Sequence, residues 1–147
     1  MNKPLMATLP SDERTSLEEY NDPFLLGIIA SLFCSLRHTA NRNCSSYNDE
    51  AILNLARSNP VSFIGTMGTS ILRYAQMLRC GTNAWQCKMI DDCFNKLSSD
   101  IYSLKINDTS RACVSCGFHK QNHLINLYRL EARAKKEAKK ESDNHGN

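Results

Sequence analysis

Two cysteines and two histidines fall within eleven residues: Cys113-Val-Ser-Cys116-Gly117-Phe118-His119-Lys-Gln-Asn-His123. Two thiolates separated by two residues grip one ion when the turn between them directs both sulfurs inward, and Gly117 permits a tight turn after the second. Histidines four apart share one face once a helix has begun. Cys113, Cys116, His119 and His123 together make a Cys₂His₂ shell, the chemistry of a structural Zn2+ site. Only two residues separate Cys116 from His119, so the set is compact, and Cys80, Cys87 or Cys93 could take the place of one histidine. A thioredoxin-like redox role needs the motif at a βα junction, and no βαβ pattern is present. Cys34, His38 and Cys44 form a second candidate set. Its plainer reading is a buried thiol beside a surface histidine in a helix's last turn.

A second kind of chemistry lies further on. Residues 129–141 carry six basic and three acidic side chains, a local charge equal to the whole chain's +3. Residues 1–22 carry two basic and five acidic ones, so charge is polarised along the chain. Arg129, Arg133, Lys135, Lys136, Lys139 and Lys140 are spaced for a helix that could contact phosphates. The plainer reading is a solvated helix whose charges keep it dissolved.

From Cys113 to Glu141 the order of cysteine–histidine cluster, Cys-Gly, histidine and basic helix resembles the small cysteine-rich proteins of certain plant RNA viruses. That resemblance implies zinc binding, RNA binding and suppression of host RNA silencing. Those proteins carry Cys-Gly-x-x-His, whereas here His119 follows Gly117 after one residue. The preceding hundred residues have no counterpart in them. Ile64-Gly65-Thr66-Met67-Gly68-Thr69-Ser70-Ile71 resembles the GXXG loop of KH domains, which clamps a nucleic-acid backbone between two helices. The alternative is that these glycines allow close packing or break a helix.

The elements that position these groups are read from periodicity. Asp22-Pro23 is a helix start, and apolar residues from Phe24 to Leu36 surround the following helix almost completely, which places it centrally in the core as far as Ala40. The run is too short for a bilayer span. A polar loop follows, then helices over 49–57, from 61 to a stop at Cys80-Gly81, over 84–106 and over 120–141. The stripe Cys87, Ile90, Phe94, Leu97, Ile101, Leu104 is the most regular in the chain, and the first and fourth helices are expected to cross in the core.

The fold class is therefore all-α: a small helical bundle with a CxxC zinc turn and a basic C-terminal helix. Its parts are a flexible arm at 1–15, a helical domain at 16–128 with the zinc turn at 113–123, and a basic helix with a frayed tail at 129–147. At 147 residues, 41% of them hydrophobic, the chain holds one modest core. No paired carboxylates, phosphate-binding loop or HExxH occurs, so no enzyme is expected. The functional expectation is a zinc-stabilised regulatory protein, intracellular in the cytoplasm or nucleus. It would bind nucleic acid, RNA before DNA, without sequence preference. The alternative is a helical adaptor for a protein partner with a purely structural zinc site. No membrane partner is expected, and homo-oligomers are possible.

Overall fold

Residues 23–36 are buried at every position. Such a helix must be enclosed by its neighbours on all sides. The computed structural model describes residues 6–7, 21–40, 46–78 and 85–145. These hold α1 (Asp22–Ala40), α2 (Ser46–Ser58), α3 (Pro60–Leu78), α4 (Trp85–Lys96), a 3₁₀ turn (Ser99–Ser103) and α5 (Asp108–His145). No strand occurs among the described residues, and none of their helices is long and apolar enough to cross a membrane. Cys44 and the expected stop at Cys80-Gly81 lie outside the described residues.

The principal partner of α1 is α5, with α4 and α2 closing the remaining sides. The expected meeting of the first and fourth helices is present, but the larger crossing is with α5. The cause is a pair of glycines. A Cβ on Gly27 would sit 2.0 Å from the carbonyl oxygen of Val114, and one on Gly117 would sit 2.2 Å from that of Phe24. Backbone meets backbone there, an approach that a side chain would forbid. Gly117 thus serves a helix crossing, not the turn expected of it.

Short polar signals set the helix ends. Asn59 is the only residue between α2 and α3. Its N–H donates to the carbonyl of Leu55 at 2.8 Å, and its side-chain oxygen accepts from the N–H of Ser62 at 3.2 Å. Pro60 then occupies the first helical position. At the start of α5, Asn107 and Ser110 cap each other reciprocally. The Ser110 N–H donates to Asn107 Oδ1 at 2.9 Å, and the Asn107 N–H donates to Ser110 Oγ at 3.0 Å. This capping box starts the last helix at Asp108, twelve residues before the expected 120.

The helix expected over 84–106 is divided. Ser98 leaves the helical region (φ −72°, ψ 158°). Its N–H donates to Asp22 Oδ1 at 3.1 Å, and its hydroxyl bonds the other carboxylate oxygen. Serine competes well for such local bonds and holds a helix poorly. Ile101 is still buried in the 3₁₀ turn, so the apolar spacing served burial after the α-helix had ended.

Residues 6 and 7, expected within a flexible arm, are seated on the bundle. Ala7 is buried and its N–H donates to Gln121 Oε1 at 2.8 Å. Met6 Sδ lies 3.7 Å from Cys93 Sγ. The buried Gln121 thereby has its acceptor satisfied by an incoming backbone N–H.

Burial pushes the Cys93 thiol from 9.0 up to about 12, and burial followed by the Asp49 charge also raises Cys34. Both thiols stay protonated in the fold after they would ionise in the unfolded chain. Their linkage term is therefore flat below pH 9.0 and lowers stability as pH rises from 9.0 toward about 12. Denaturant unfolding across that range should show a fall in stability, and Cys93→Ala should make it shallower. An identical slope in the variant would remove Cys93 as a cause.

Candidate nucleic-acid interface

One face of α5 runs through Val114, Phe118, Gln121 and Ile125, all buried. Steps of three and four from Ile125 continue that face to Tyr128, Arg129, Ala132, Lys135, Lys136 and Lys139. The stripe that packs against α1 thus turns basic where the helix outruns α1. Arg133 and Lys140 flank it on one side and Glu131, one turn before Lys135, borders it on the other, while Glu137 and Glu141 fall away from it. The six basic residues expected to meet phosphates therefore share one half of the helix surface, and Glu137 and Glu141 occupy the other. Sequence spacing alone left open whether this basic face looks away from the bundle. In the structure it looks along the bundle's own flank.

Polar pegs fix its register. Arg129 Nη2 donates to Ser35 Oγ at 3.0 Å, and Ser31 Oγ donates to Asn122 Oδ1 at 2.5 Å. Thr39 Oγ1 donates to the Ser35 carbonyl at 2.9 Å and accepts from Gln86 Nε2 at 2.7 Å. These bonds join α1, α4 and α5 at one end of the bundle. Trp85 meets Tyr128 edge-on, with centroids 5.6 Å apart and planes at 67°. Between these groups and the basic stripe lies a pocket of about 640 Å³. Arg133, Lys135, Lys136 and Lys139 line it and have no ion-pair partner among the described residues.

The sequence reading missed Trp85 and Gln86. The available signal was the chain's single tryptophan, placed directly before the most regular apolar stripe.

Cys113, Cys116, His119 and His123 all lie inside continuous α5, not in a turn. Cys113 and Cys116 are half-buried and the two histidines exposed. From Cys113 to His123 a helix rises about 15 Å. Ligands at about 2.0–2.3 Å from one zinc cannot be drawn from both ends of such a span. Among the described residues no three His, Cys, Asp or Glu side chains are gathered where they could hold a metal. The four do not fit one zinc shell in this conformation. The helix starts at Asp108, so the residues expected to form a turn became interior helical positions. Cys87 and Cys93 lie on α4, and neither is gathered with the cysteines or histidines of α5 into a group that could hold a metal.

At the second candidate set, His38 Nε2 lies 2.6 Å from Asp49 Oδ2 and Arg37 Nη1 lies 3.4 Å from Asp49 Oδ1. The first turn of α2 is thereby tied to the end of α1. Cys34 is buried beneath this group, and Cys44 lies outside the described residues. The GXXG stretch lies inside unbroken α3, so no loop separates two helices there. Gly65 and Gly68 have no atom within 4 Å of an added Cβ, which also removes close packing as their role.

No family model, curated protein or solved structure matches the chain.

A chelator should leave the fold intact. After exhaustive treatment with a strong chelator, helical content and unfolding midpoint should match those of untreated protein. A large loss of helicity, restored by Zn2+, would show that a metal holds the bundle.

Proposed function

We propose that the protein binds nucleic acid, RNA before DNA, through the basic face of α5, largely without regard to sequence. The observation that carries this is the collection of Arg129, Arg133, Lys135, Lys136, Lys139 and Lys140 on one half of the surface of α5, with Glu137 and Glu141 on the other. Phosphates met in a row by such a face release condensed counterions, which makes affinity steeply salt-dependent. No group reaching a base edge accompanies the stripe along most of its length, so phosphate contacts position the strand without reading it. Binding to phosphates by this face needs no zinc.

The test is a titration of the whole protein against a short single-stranded RNA at several salt concentrations. Binding that falls linearly in log affinity against log salt supports the reading. No binding at low salt overturns it. The adaptor reading draws on Leu127 and Leu130, which are 44% and 58% exposed on the outer side of α5. It would lead in that case.

A further inference from the structure

The pocket beside the basic stripe has features that phosphate binding does not use. Trp85, Tyr128 and Ala132 line it, and so does Gln86, which is only 1% exposed. Gln86 Oε1 and Trp85 Nε1 are buried and have no hydrogen-bond partner. Two unpartnered polar atoms of opposite kind, an acceptor and a donor, are costly in a folded wall and call for a polar complement. Cations stand at the rim, and a pocket near 640 Å³ is large enough for a small planar ligand. An acyl chain would satisfy the charge at its head, but it brings no flat face to stack on the Trp85–Tyr128 pair. A nucleobase brings donors and acceptors on its edge, a flat face for the aromatic rings, and a phosphate one sugar away.

We infer that this pocket takes one unpaired base of a single strand, stacked against the Trp85–Tyr128 pair, while its flanking phosphates lie on Arg129, Arg133, Lys135 and Lys136. The inference rests on the nucleic-acid reading and deepens it: the preferred ligand is single-stranded, because a paired base cannot leave its stack without added cost. The rim cations continue along α5 in the direction of Lys139, so the strand runs along the helix away from the bundle.

Trp85 is the only tryptophan of the chain and reports on its own pocket. The experiment titrates the full chain with a ten-nucleotide single-stranded RNA, the same RNA as a duplex, adenosine monophosphate, and vesicles of anionic phospholipid, all at one salt concentration. The single strand should change Trp85 emission and bind about tenfold more tightly than the duplex. Tyr128→Leu should remove about tenfold of the single-strand affinity and leave duplex affinity within about twofold. Gln86→Leu should act in the same direction. Helicity by circular dichroism checks that each variant folds.

Equal affinity for strand and duplex with unchanged emission would overturn the base pocket while leaving phosphate binding standing. Binding of neither nucleic acid would overturn both. An emission change with adenosine monophosphate as tight as with the strand would make the pocket a free-nucleotide site and overturn the strand assignment. Quenching by vesicles alone would do the same in favour of lipid.

Discussion

Gly117→Ala should destabilise the protein by roughly 3 kcal/mol or more, at the upper end of what overpacking costs, while Gly65→Ala should stabilise it by about 0.5–1 kcal/mol. Both are glycine-to-alanine changes inside a helix, and propensity favours alanine at each. What separates them is space. An added Cβ on Gly117 meets the Phe24 carbonyl oxygen at 2.2 Å, and that oxygen belongs to the backbone of a fully buried helix. It can yield only if α1 and α5 separate, which opens gaps along their whole crossing. At Gly65 nothing lies within 4 Å, so only the backbone-entropy gain remains. Gly27→Ala should behave like Gly117→Ala, since its Cβ would meet the Val114 carbonyl oxygen at 2.0 Å, and Gly68→Ala should behave like Gly65→Ala. Urea midpoints for the four variants decide the matter. Equal effects at Gly117 and Gly65 would mean that α1 and α5 do not cross at these glycines.

Changing Lys135, Lys136, Lys139 and Lys140 together to alanine should cut the salt dependence of RNA binding to about a third. With six phosphate contacts on a single strand, affinity should fall roughly 300-fold between about 50 and 200 mM salt. With two contacts left, the fall should be about sevenfold. Affinity at low salt should drop by orders of magnitude and by similar factors for unrelated sequences. The helix should persist, because alanine is at least as good a helix former as lysine. A matched variant with Glu131, Glu137 and Glu141 changed to Gln tests the geometry. Glu137 and Glu141 stand away from the stripe and Glu131 only borders it, so their removal should strengthen binding only slightly. If the four-alanine variant keeps the parental affinity and slope, phosphates are met elsewhere on the molecule. If the glutamine variant gains as much as the alanine variant loses, net charge is responsible and not the face.

These outcomes turn on features the sequence shows unevenly. α1 is legible from its own residues: an apolar run with Asn21-Asp22-Pro23 before it admits few alternatives, and it is buried throughout. The start of α3 is legible for a similar reason, because Asn59-Pro60 both ends one helix and begins the next. The basic stripe can be written down as a helix face, yet which way the face looks depends on α1 lying under it. That is a long-range fact carried by Gly27 and Gly117, ninety residues apart. Taken singly, a glycine after a cysteine suggests a turn, and the reading at 113–123 followed from that local suggestion. The capping signal that overrides it, Asn107 with Ser110, sits upstream and uses serine where glutamate is the familiar partner. Ser98 and Asp22 show the same limit. The end of α4 is fixed by a carboxylate seventy-six residues earlier. The pocket was the least legible of all, because it is assembled from three helices and none of them shows a pattern of its own there.

The length of α5 has a further consequence. Its 38 residues span about 57 Å, but the buried positions end at Ile125. Starting a helix in water is unfavourable, whereas extending one already formed is nearly neutral for alanine, lysine and glutamate. The buried half thus acts as a seed, and the exposed half is a crystal grown from it, one residue at a time. Amide exchange should accordingly be graded along α5, slowest near Val114 and quickening toward His145 without a step. The outer half can melt and regrow while the bundle stays folded, but the reverse cannot happen. Damage at the Gly27–Gly117 crossing, far from any cation, would dissolve the seed and scatter the charges into an unstructured chain.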